Sequence, residues 1–338
     1  MKAINFVSLP LVFVCLMVTL IVMPALNISR SSGTVAVLTS QPGPVLNSTP
    51  AMTLDDDYSG RQWAIPKIMA PEAWQVTAGQ PNVVIAVLDT GIDKGQKDLA
   101  SKVIAEVNFT DSPTTEDIYG HGTHIAGIIA ALADSDTGVT GLAHDCRLMN
   151  VKVADDHGRF ESSVAAKGVN WAVDHGAQVI NMSLVSFEPS PCLEEAIENA
   201  WNHGVVVIAA AGNLVGNKIV YPAYYSNCIA VAATDSNDCI ASWSSKGDWV
   251  DVAAPGVDIY STLPDNQYGN KSGTSMAAAH VSGLAGLLFT VESDRNRNDF
   301  VNDEVRAAIE NGCDGLNIGA VKGRINAFNA VSRALTSN

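Results

Sequence analysis

The stretch NVVIAVLDTGID, residues 82–93, decides the fold of this 338-residue chain. A continuous apolar run that ends in polar residues is typical of a buried strand in a parallel sheet. Similar runs recur downstream, with helical patterns between them over residues 121–134, 162–176 and 193–204; the further runs are RLMNVKVADD (147–156), AQVINMSL (177–184), VVVIAAAGN (205–213) and CIAVAATD (228–235). This alternation predicts an α/β fold, with a mostly parallel central sheet and helices on both faces.

Polar side chains are placed where these elements end or begin. Asp89, Ser183 and Asn213 fall at strand ends, and His121 and Ser275 fall at helix starts. Ligands of open parallel sheets bind at the carboxyl ends of the strands. The pattern therefore predicts one shared site at that edge of the sheet.

The composition bounds the class of protein. Hydrophobic residues make up 47% of the chain and charged residues 16%, so the chain can bury a large core. A net charge of −15 argues against nucleic acid as a partner, because phosphate binding needs clustered lysine and arginine. An acidic surface fits a secreted protein or one that binds cations.

The N-terminal region differs from the remainder of the chain. Residues 4–26 are apolar and follow one lysine, so residues 1–26 are interpreted as an export signal or an uncleaved membrane anchor, and both remain open. Residues 27–54 are rich in Ser, Thr, Pro and Gly, which is typical of a linker or a short pro-segment. The patterned domain is predicted over residues 55–338.

The cysteines carry little information about function. Cys15 lies in the apolar leader and five cysteines remain, so at most two disulfides could form among those five. Neither a CxxC pair nor a Cys/His spacing typical of zinc is present in the sequence.

Four of the polar residues could form a site for nucleophilic catalysis. Ser275 at a helix start is either an N-cap or a nucleophile. His121 could take the serine proton and return it to the leaving amine, and Asp89 could orient the imidazole, although an aspartate there could equally cap a turn. Asn213 could donate its amide to a developing oxyanion or serve as a turn residue. His124 is interpreted as a packed helix histidine, because no third metal ligand is evident beside it and His121.

Four motifs carry a resemblance to a known family. DTGID (89–93), GHGTHIAG (120–127), AAAGN (209–213) and SGTSMAAAHVSG (272–283) resemble the signature set of the subtilases, in that family's order of Asp, His and Ser. Residues 59–74, 221–238 and 250–264 are similar to its thermitase-like branch. The resemblance implies a subtilisin-like three-layer fold and a secreted, monomeric serine endopeptidase that cleaves polypeptides. The implied triad is Asp89, His121 and Ser275, working through an acyl-enzyme, with Asn213 in the oxyanion hole.

The resemblance also implies where substrate binds. Two extended segments would hold the substrate backbone, Val220 would lie at the floor of the P1 pocket, and the implied set is Gly158, Arg159, Phe160, Ser183, Leu184, Val185, Ala211, Gly212 and Val220. Several of these side chains are bulkier than is usual in the family. We therefore predict a preference for small or medium apolar P1 residues.

A structural Ca²⁺ is implied by the same resemblance. The matching positions, several of which would contribute carbonyl oxygens, are Asp55, Asp98, Leu132, Ser135, Thr137 and Val139. Ser135 departs from the asparagine that is usual in the family, but acidic residues flank it. A second family site is matched only by Asn108 and Asp111, and it is not included in the prediction.

Two other functions are compatible with the sequence. One is a catalytically weak subtilase that binds peptides, suggested by the bulky substrate segments and by Ala279, where the family commonly has proline. The other is a membrane-tethered processing protease, which would share the chemistry and differ in localisation.

Overall fold

A computed structural model describes residues 34–36, 60–133, 138–316 and 322–336. The chain divides into two compact units, Met1–Ser32 and Gly33–Asn338. The first unit lies outside the described residues, and so does the apolar segment 4–26 that was interpreted as a leader or anchor. In the described part of the chain, no helix is both long enough and apolar enough to cross a bilayer.

A central parallel sheet dominates the described residues. Its strands are β2 (Val84–Asp89), β3 (Val103–Asn108), β4 (Arg147–Lys152), β6 (Val179–Met182), β7 (Val206–Ala210), β8 (Cys228–Thr234) and β9 (Val252–Pro255). Their spatial order is β3-β4-β2-β6-β7-β8-β9, and each neighbouring pair is parallel. The five runs quoted from the sequence form β2, β4, β6, β7 and β8, which confirms the predicted sheet.

Two antiparallel pairs lie outside this sheet. β1 (Thr34–Ala36) pairs with β5 (Arg159–Glu161), and β10 (Ile259–Leu263) pairs with β11 (Gln267–Lys271). The helices are α1 (Ala64–Lys67), α2 (Ala70–Trp74), α3 (Gly122–Ala130), α4 (Ser162–Asp174), α5 (Pro191–Asn202), α6 (Thr274–Leu288), α7 (Asn302–Asn311) and α8 (Ala327–Thr336).

Helices cover both faces of the sheet, as predicted. Alternate residues of a strand point to opposite faces. In β2, Ile85 and Val87 join a core cluster with α3 and α6, whereas Val84, Ala86 and Leu88 join a second cluster with α4 and α5. The fold is therefore three-layered, with α3 and α6 on one face and α4 and α5 on the other.

Helix α6 is buried over its whole length. All fifteen of its residues are buried, so it is apolar or small on every side rather than amphipathic. A Cβ added at Gly286 would lie 2.8 Å from Cδ1 of Ile85, so helix and sheet approach closely at this position. The run of small residues that follows Ser275 is thus explained by packing.

Candidate active site

Asp89 and His121 are joined directly. Asp89 is the last residue of β2, and His121 is the N-cap residue of α3. His121 Nδ1 and Asp89 Oδ1 are 2.7 Å apart, and both side chains are almost completely buried. The same carboxylate oxygen accepts the backbone N–H of Thr90 at 2.8 Å. The aspartate therefore fixes the ring orientation of the histidine.

The other ring nitrogen of His121 is available to a reacting group. Nε2 is buried and has no hydrogen-bond partner among the residues that the structure describes. With Nδ1 held by Asp89, the proton of the neutral ring is on Nδ1 and Nε2 is an acceptor. An imidazole in this state can receive a proton from a hydroxyl.

Close packing of α3 onto the end of β2 makes this pairing possible. A Cβ on Gly122 would lie 2.1 Å from the carbonyl oxygen of Gly91 and 3.1 Å from Cβ of Asp89. Any larger residue at position 122 would push the helix start away from the strand. The glycine next to His121 is therefore required by the approach of these two elements.

Thr90 and Asp117 support the pair, and the sequence interpretation missed both. The Thr90 hydroxyl accepts the backbone N–H of Gly122 at 3.0 Å and donates to Asp117 Oδ1 at 2.7 Å. Asp117 also accepts the backbone N–H groups of Gly120 (2.7 Å) and Thr123 (2.8 Å). An acidic residue just before a helix start is a sequence signal for such a cap.

Ser275 lies in the first turn of α6 and is 2% exposed. Its carbonyl oxygen accepts the Ser183 hydroxyl at 3.2 Å. Asn181 donates to that hydroxyl at 3.1 Å and accepts from Ser282 at 2.9 Å, so a buried polar chain joins the end of β6 to α6. Ser183 is thus a fixed point for α6 as well as a predicted substrate contact.

Asn213 braces the turn that precedes Ser275. Its Oδ1 accepts the backbone N–H and the hydroxyl of Thr274, each at 2.9 Å. Its Nδ2 lies against Gly273, 3.3 Å from where a Cβ at that residue would be. With Oδ1 bonded to Thr274, the amide nitrogen lies beside Gly273, directly before the start of α6. Donors at a helix N-terminus suit a developing oxyanion.

The predicted substrate residues have different surroundings. Arg159 is exposed, and its guanidinium is held by Asp155 at 2.9 and 3.0 Å. Leu184, Val185, Phe160 and Val220 are buried in the core cluster on the α4 and α5 face. A Cβ on Gly212 would lie 3.4 Å from a methyl of Val220, so this valine packs close to Gly212. Gly158 is buried beside Tyr119.

Three of the six predicted calcium positions lie among the described residues. Asp55, Ser135 and Thr137 lie outside the described residues. Asp98 is fully buried; its Oδ2 accepts the Tyr268 hydroxyl at 2.9 Å and the Gly138 N–H at 3.3 Å. Its Oδ1 has no partner within the described part of the chain. Burial raises the pKa of the Asp98 carboxyl, against the bonds from Tyr268 and the backbone.

Leu132 and Val139 lie beside Asp98. The Leu132 N–H donates to the Asp98 carbonyl oxygen at 3.1 Å, and the Val139 N–H is a donor to the Asp98 carboxylate. A buried carboxylate with one unbonded oxygen, surrounded by loop backbone, fits a cation. Over residues 60–133, 138–316 and 322–336, however, no three His, Cys, Asp or Glu side chains converge as a metal cluster.

His124 is a structural histidine. Its Nε2 lies 3.1 Å from the carbonyl oxygens of Ile259 and Gly269, and burial lowers the pKa of the ring well below its usual value. A neutral ring held by backbone in the core agrees with the interpretation as a packed helix residue.

Comparison with known proteins gives consistent similarities. The sequence matches the profile Peptidase_S8, the subtilase family, over residues 80–327. Thermitase from Thermoactinomyces vulgaris is 44% identical over 281 residues, which cover 82% of this chain and 98% of that protein. Subtilisin BL from Lederbergia lenta is 44% identical over 230 residues, which cover 67% of this chain and 83% of that protein.

A solved structure has the same fold. A protease from Pseudoalteromonas arctica matches with a TM-score of 0.75 at 27% identity, over 84% of this chain and 100% of that one. These similarities confirm the family resemblance and the subtilisin-like fold class that the sequence motifs indicated.

Proposed function

This chain belongs to the subtilase family of serine-type endopeptidases, and we propose that it cleaves polypeptides with Asp89, His121 and Ser275 as its triad. The observation that carries the proposal is the 2.7 Å contact between His121 Nδ1 and Asp89 Oδ1, with Nε2 left unpartnered among the described residues. A histidine oriented in this way can accept the proton of a serine hydroxyl, and we assign that hydroxyl to Ser275 at the start of α6.

The reaction proceeds in two halves. Nε2 of His121 takes the proton of Ser275 as the hydroxyl attacks the peptide carbonyl, and Asp89 stabilises the imidazolium. The Asn213 amide and the Ser275 backbone N–H donate to the oxyanion. The imidazolium then protonates the leaving amine, which leaves an acyl-enzyme. In the second half, water attacks the acyl-enzyme while His121 takes its proton, and the carboxylic acid product is released as the proton returns to Ser275.

The specificity that we propose follows from the packing of Val220. Its methyl groups lie close to Gly212, which is among the predicted substrate residues, and Val185 is buried in the same core cluster. A pocket floored by a β-branched side chain is shallow, which favours Ala, Val or Leu over Phe or Tyr at P1.

Calcium at Asp98 and export form part of the same proposal. The unpartnered and buried Oδ1 supports a structural Ca²⁺ held by Asp98, with Leu132, Val139 and residues outside the described ranges, Asp55, Ser135 and Thr137, as further ligands. The cation would join the segment after β2 to the loop after α3. The apolar leader supports secretion, and the N-terminus of the mature protein would test it.

We also propose that residues 27–54 are a short pro-segment, before a peptidase domain over 55–338. Thr34–Ala36 pairs antiparallel with Arg159–Glu161, and two of those partners are predicted to hold substrate backbone. A chain segment that adds a strand there occupies the position of a substrate. Its removal would free Arg159 and Phe160 to pair with a substrate.

Labelling with a fluorophosphonate probe tests the proposed triad. The chain is labelled in calcium beside Ser275→Ala and His121→Ala, and the modified residue is mapped by mass spectrometry. We expect labelling at Ser275 that is lost in both variants. Absence of labelling in a folded, calcium-loaded chain freed of residues 1–54 would contradict the proposal and favour the peptide-binding alternative.

A further inference from the structure

The segment between α6 and α7 has a repeating pattern of oxygen-bearing side chains. Its sequence ESDRNRNDFVNDE, residues 292–304, places Asp294, Asn296 and Asn298 at alternate positions. It contains five acidic residues and two arginines. Asp294, Asn296 and Asn298 match the first, third and fifth positions of the oxygen-ligand pattern of calcium loops, and Glu304 on the second helix falls one residue short of the glutamate at its twelfth position.

The loop is folded around its first acidic side chain. The Asp294 carboxylate accepts the backbone N–H groups of Arg297 (2.6 Å), Asn298 (3.1 Å) and Asp299 (2.9 Å). Asp299 has a φ of 74°, in the left-handed region. It occupies the sixth position counted from Asp294, where the calcium-loop pattern requires a sharp turn.

Two buried glutamates face this loop with unbonded oxygens. Glu304, in the first turn of α7, is 6% exposed; its Oε1 accepts the N–H groups of Arg295 (3.0 Å) and Asn296 (3.3 Å). The Glu292 side chain is fully buried, and its Oε2 pairs with Arg295 at 2.5 Å. Glu304 Oε2, Glu292 Oε1 and Asp303 Oδ1 are all buried and without a partner in the described residues.

The charges on this cluster are crowded. The acidic side chains of Glu292 and Glu304 are both buried at this loop. Among cations of the chain, Arg295 is an ion-pair partner of Glu292, and Arg306 is committed to Asp251 and Glu310. Buried carboxylate oxygens without donors are unfavourable unless a cation or a proton neutralises them.

Helix capping explains only part of this arrangement. Acidic residues in the first turn of α7 are favoured by the helix dipole, and Glu304 Oε1 satisfies two loop N–H groups. Capping uses one oxygen of Glu304 and gives no role to the second oxygens of Glu304, Glu292 and Asp303. A cation bound by Glu304 and Glu292 gives two of these three oxygens a partner.

We propose that residues 292–304 bind one Ca²⁺ through Asp294, Asn296, Asn298 and Glu304, with Glu292 as an additional carboxylate. Oxygen ligands from carboxylates, amides and backbone suit Ca²⁺, which takes six to eight of them. The donor set is mixed, and in the described residues no three acidic, histidine or cysteine side chains already converge. Binding of the ion would therefore require the carboxylates of Glu292 and Glu304 to reorient toward Asp294. This site shares no residue with the one proposed at Asp98, and it ties the end of the Ser275 helix to α7.

Calcium stoichiometry tests this proposal directly. Isothermal titration of the full chain carrying Ser275→Ala is compared with the same chain carrying Asp294→Asn and Glu304→Gln. Glu198→Gln, an exposed acid on α5, is the control. We expect the double variant to bind one fewer Ca²⁺ and the control to bind as many as the parent. Unchanged stoichiometry in a double variant with a parent-like circular dichroism spectrum would overturn the proposal.

Trypsin cleavage after Arg295 and Arg297 gives a second test that needs no change in the loop. We expect Ca²⁺, but not equal Mg²⁺, to slow cleavage at these bonds by about ten-fold in the Ser275→Ala chain, since the bound loop is tied down. Trypsin activity is measured in each buffer on a small arginine amide. The protection must persist in Asp98→Asn. Protection that disappears with Asp98, or no protection at all, would overturn the proposal.

Discussion

The hydroxyl of Thr90 donates to Asp117 Oδ1 at 2.7 Å, and this bond connects the end of β2 to the start of α3. The same hydroxyl accepts the Gly122 N–H at 3.0 Å. Thr90 follows Asp89 in the chain, and Gly122 follows His121. One side chain therefore sets the distance between the two residues that form the proposed catalytic pair, without touching substrate.

Thr90→Val should lower kcat while KM changes little. Valine keeps the shape but removes both hydrogen bonds, and a small misplacement of reacting groups can reduce a rate by about 100-fold. Thr90→Ser, which keeps the hydroxyl, should retain most of the parent kcat. The comparison is made by steady-state kinetics on one peptide substrate. Equal kcat values for the valine and serine variants would contradict a positioning role for the hydroxyl.

Val220→Ala should widen the P1 pocket. Removing two methyl groups from its floor should raise the ratio of kcat/KM for P1 Phe over P1 Ala by about ten-fold, within the usual effect of one or two methylenes. Val215→Ala, at a position that is 83% exposed, is the control and should leave the ratio unchanged. A parent enzyme that already prefers Phe would refute the proposed specificity.

The effect of Asp98→Asn on stability should depend on calcium, with no loss in its absence and a loss in its presence. In EDTA the variant should be as stable as the parent or more so, because a buried charge is removed. In calcium it should be less stable, since a site at 100-fold excess of ligand over Kd contributes about 2.7 kcal/mol. Thermal unfolding of the Ser275→Ala forms measures both. A variant that gains as much as the parent from calcium would exclude Asp98 as a ligand.

Because of Lys102, the free energy of unfolding should increase as the pH rises above neutrality. Its side chain is buried, its Nζ donates to the His144 carbonyl, and burial lowers its pKa to about 8, with Arg147 adding to the shift. The unfolded chain has a lysine pKa of about 10.4, so it binds more protons than the folded chain between pH 8 and 10.4. The folded state is therefore penalised in full below pH 8 and gains stability as pH rises through this window.

Replacing Lys102 should remove that penalty. Lys102→Met should be more stable than the parent by about 1–3 kcal/mol at pH 7, and the gain should fade by pH 10. Urea unfolding of Ser275→Ala forms at both pH values gives the measurement. Lys167→Met, at an exposed site on α4, should show little difference at either pH. A gain of equal size at both pH values would mean that apolar packing, rather than charge burial, is responsible.

The five cysteines among the described residues should differ in how readily they are alkylated, according to their exposure. All five are free thiols; Cys192 and Cys239 are exposed, whereas Cys146 and Cys228 are buried. Burial raises the pKa of Cys146 to about 11 and of Cys313 to about 12, so little reactive thiolate is present at neutral pH. Iodoacetamide should alkylate Cys192 and Cys239 in the folded chain and the other three only after unfolding. Rapid modification of Cys146 in folded protein would contradict the packing described here.

Residue types and order determined the sheet, the family and the candidate catalytic residues. Buried parallel strands are apolar along their whole length, so β2, β4, β6, β7 and β8 were visible as runs. The motifs around Asp89, His121, Asn213 and Ser275 have fixed local spacing, and such spacing can be recognised in the amino-acid sequence alone. The same reasoning could not give the pairing of β10 with β11, because neither strand has a strong apolar run.

What only the tertiary structure decided depends on contacts between distant residues. Thr90 and Asn181 act through hydrogen bonds that join separate elements, and nothing in the sequence around them distinguishes them from ordinary turn or core residues. The unbonded oxygens of Asp98, Glu292 and Glu304 are defined by burial, and burial depends on which side chains the fold places around each carboxylate. The sequence by itself thus determined which chemistry this chain carries. The packing of α3, α6 and α7 on the sheet decided which groups are positioned, and which buried carboxylate oxygens have no hydrogen-bond donor among the described residues.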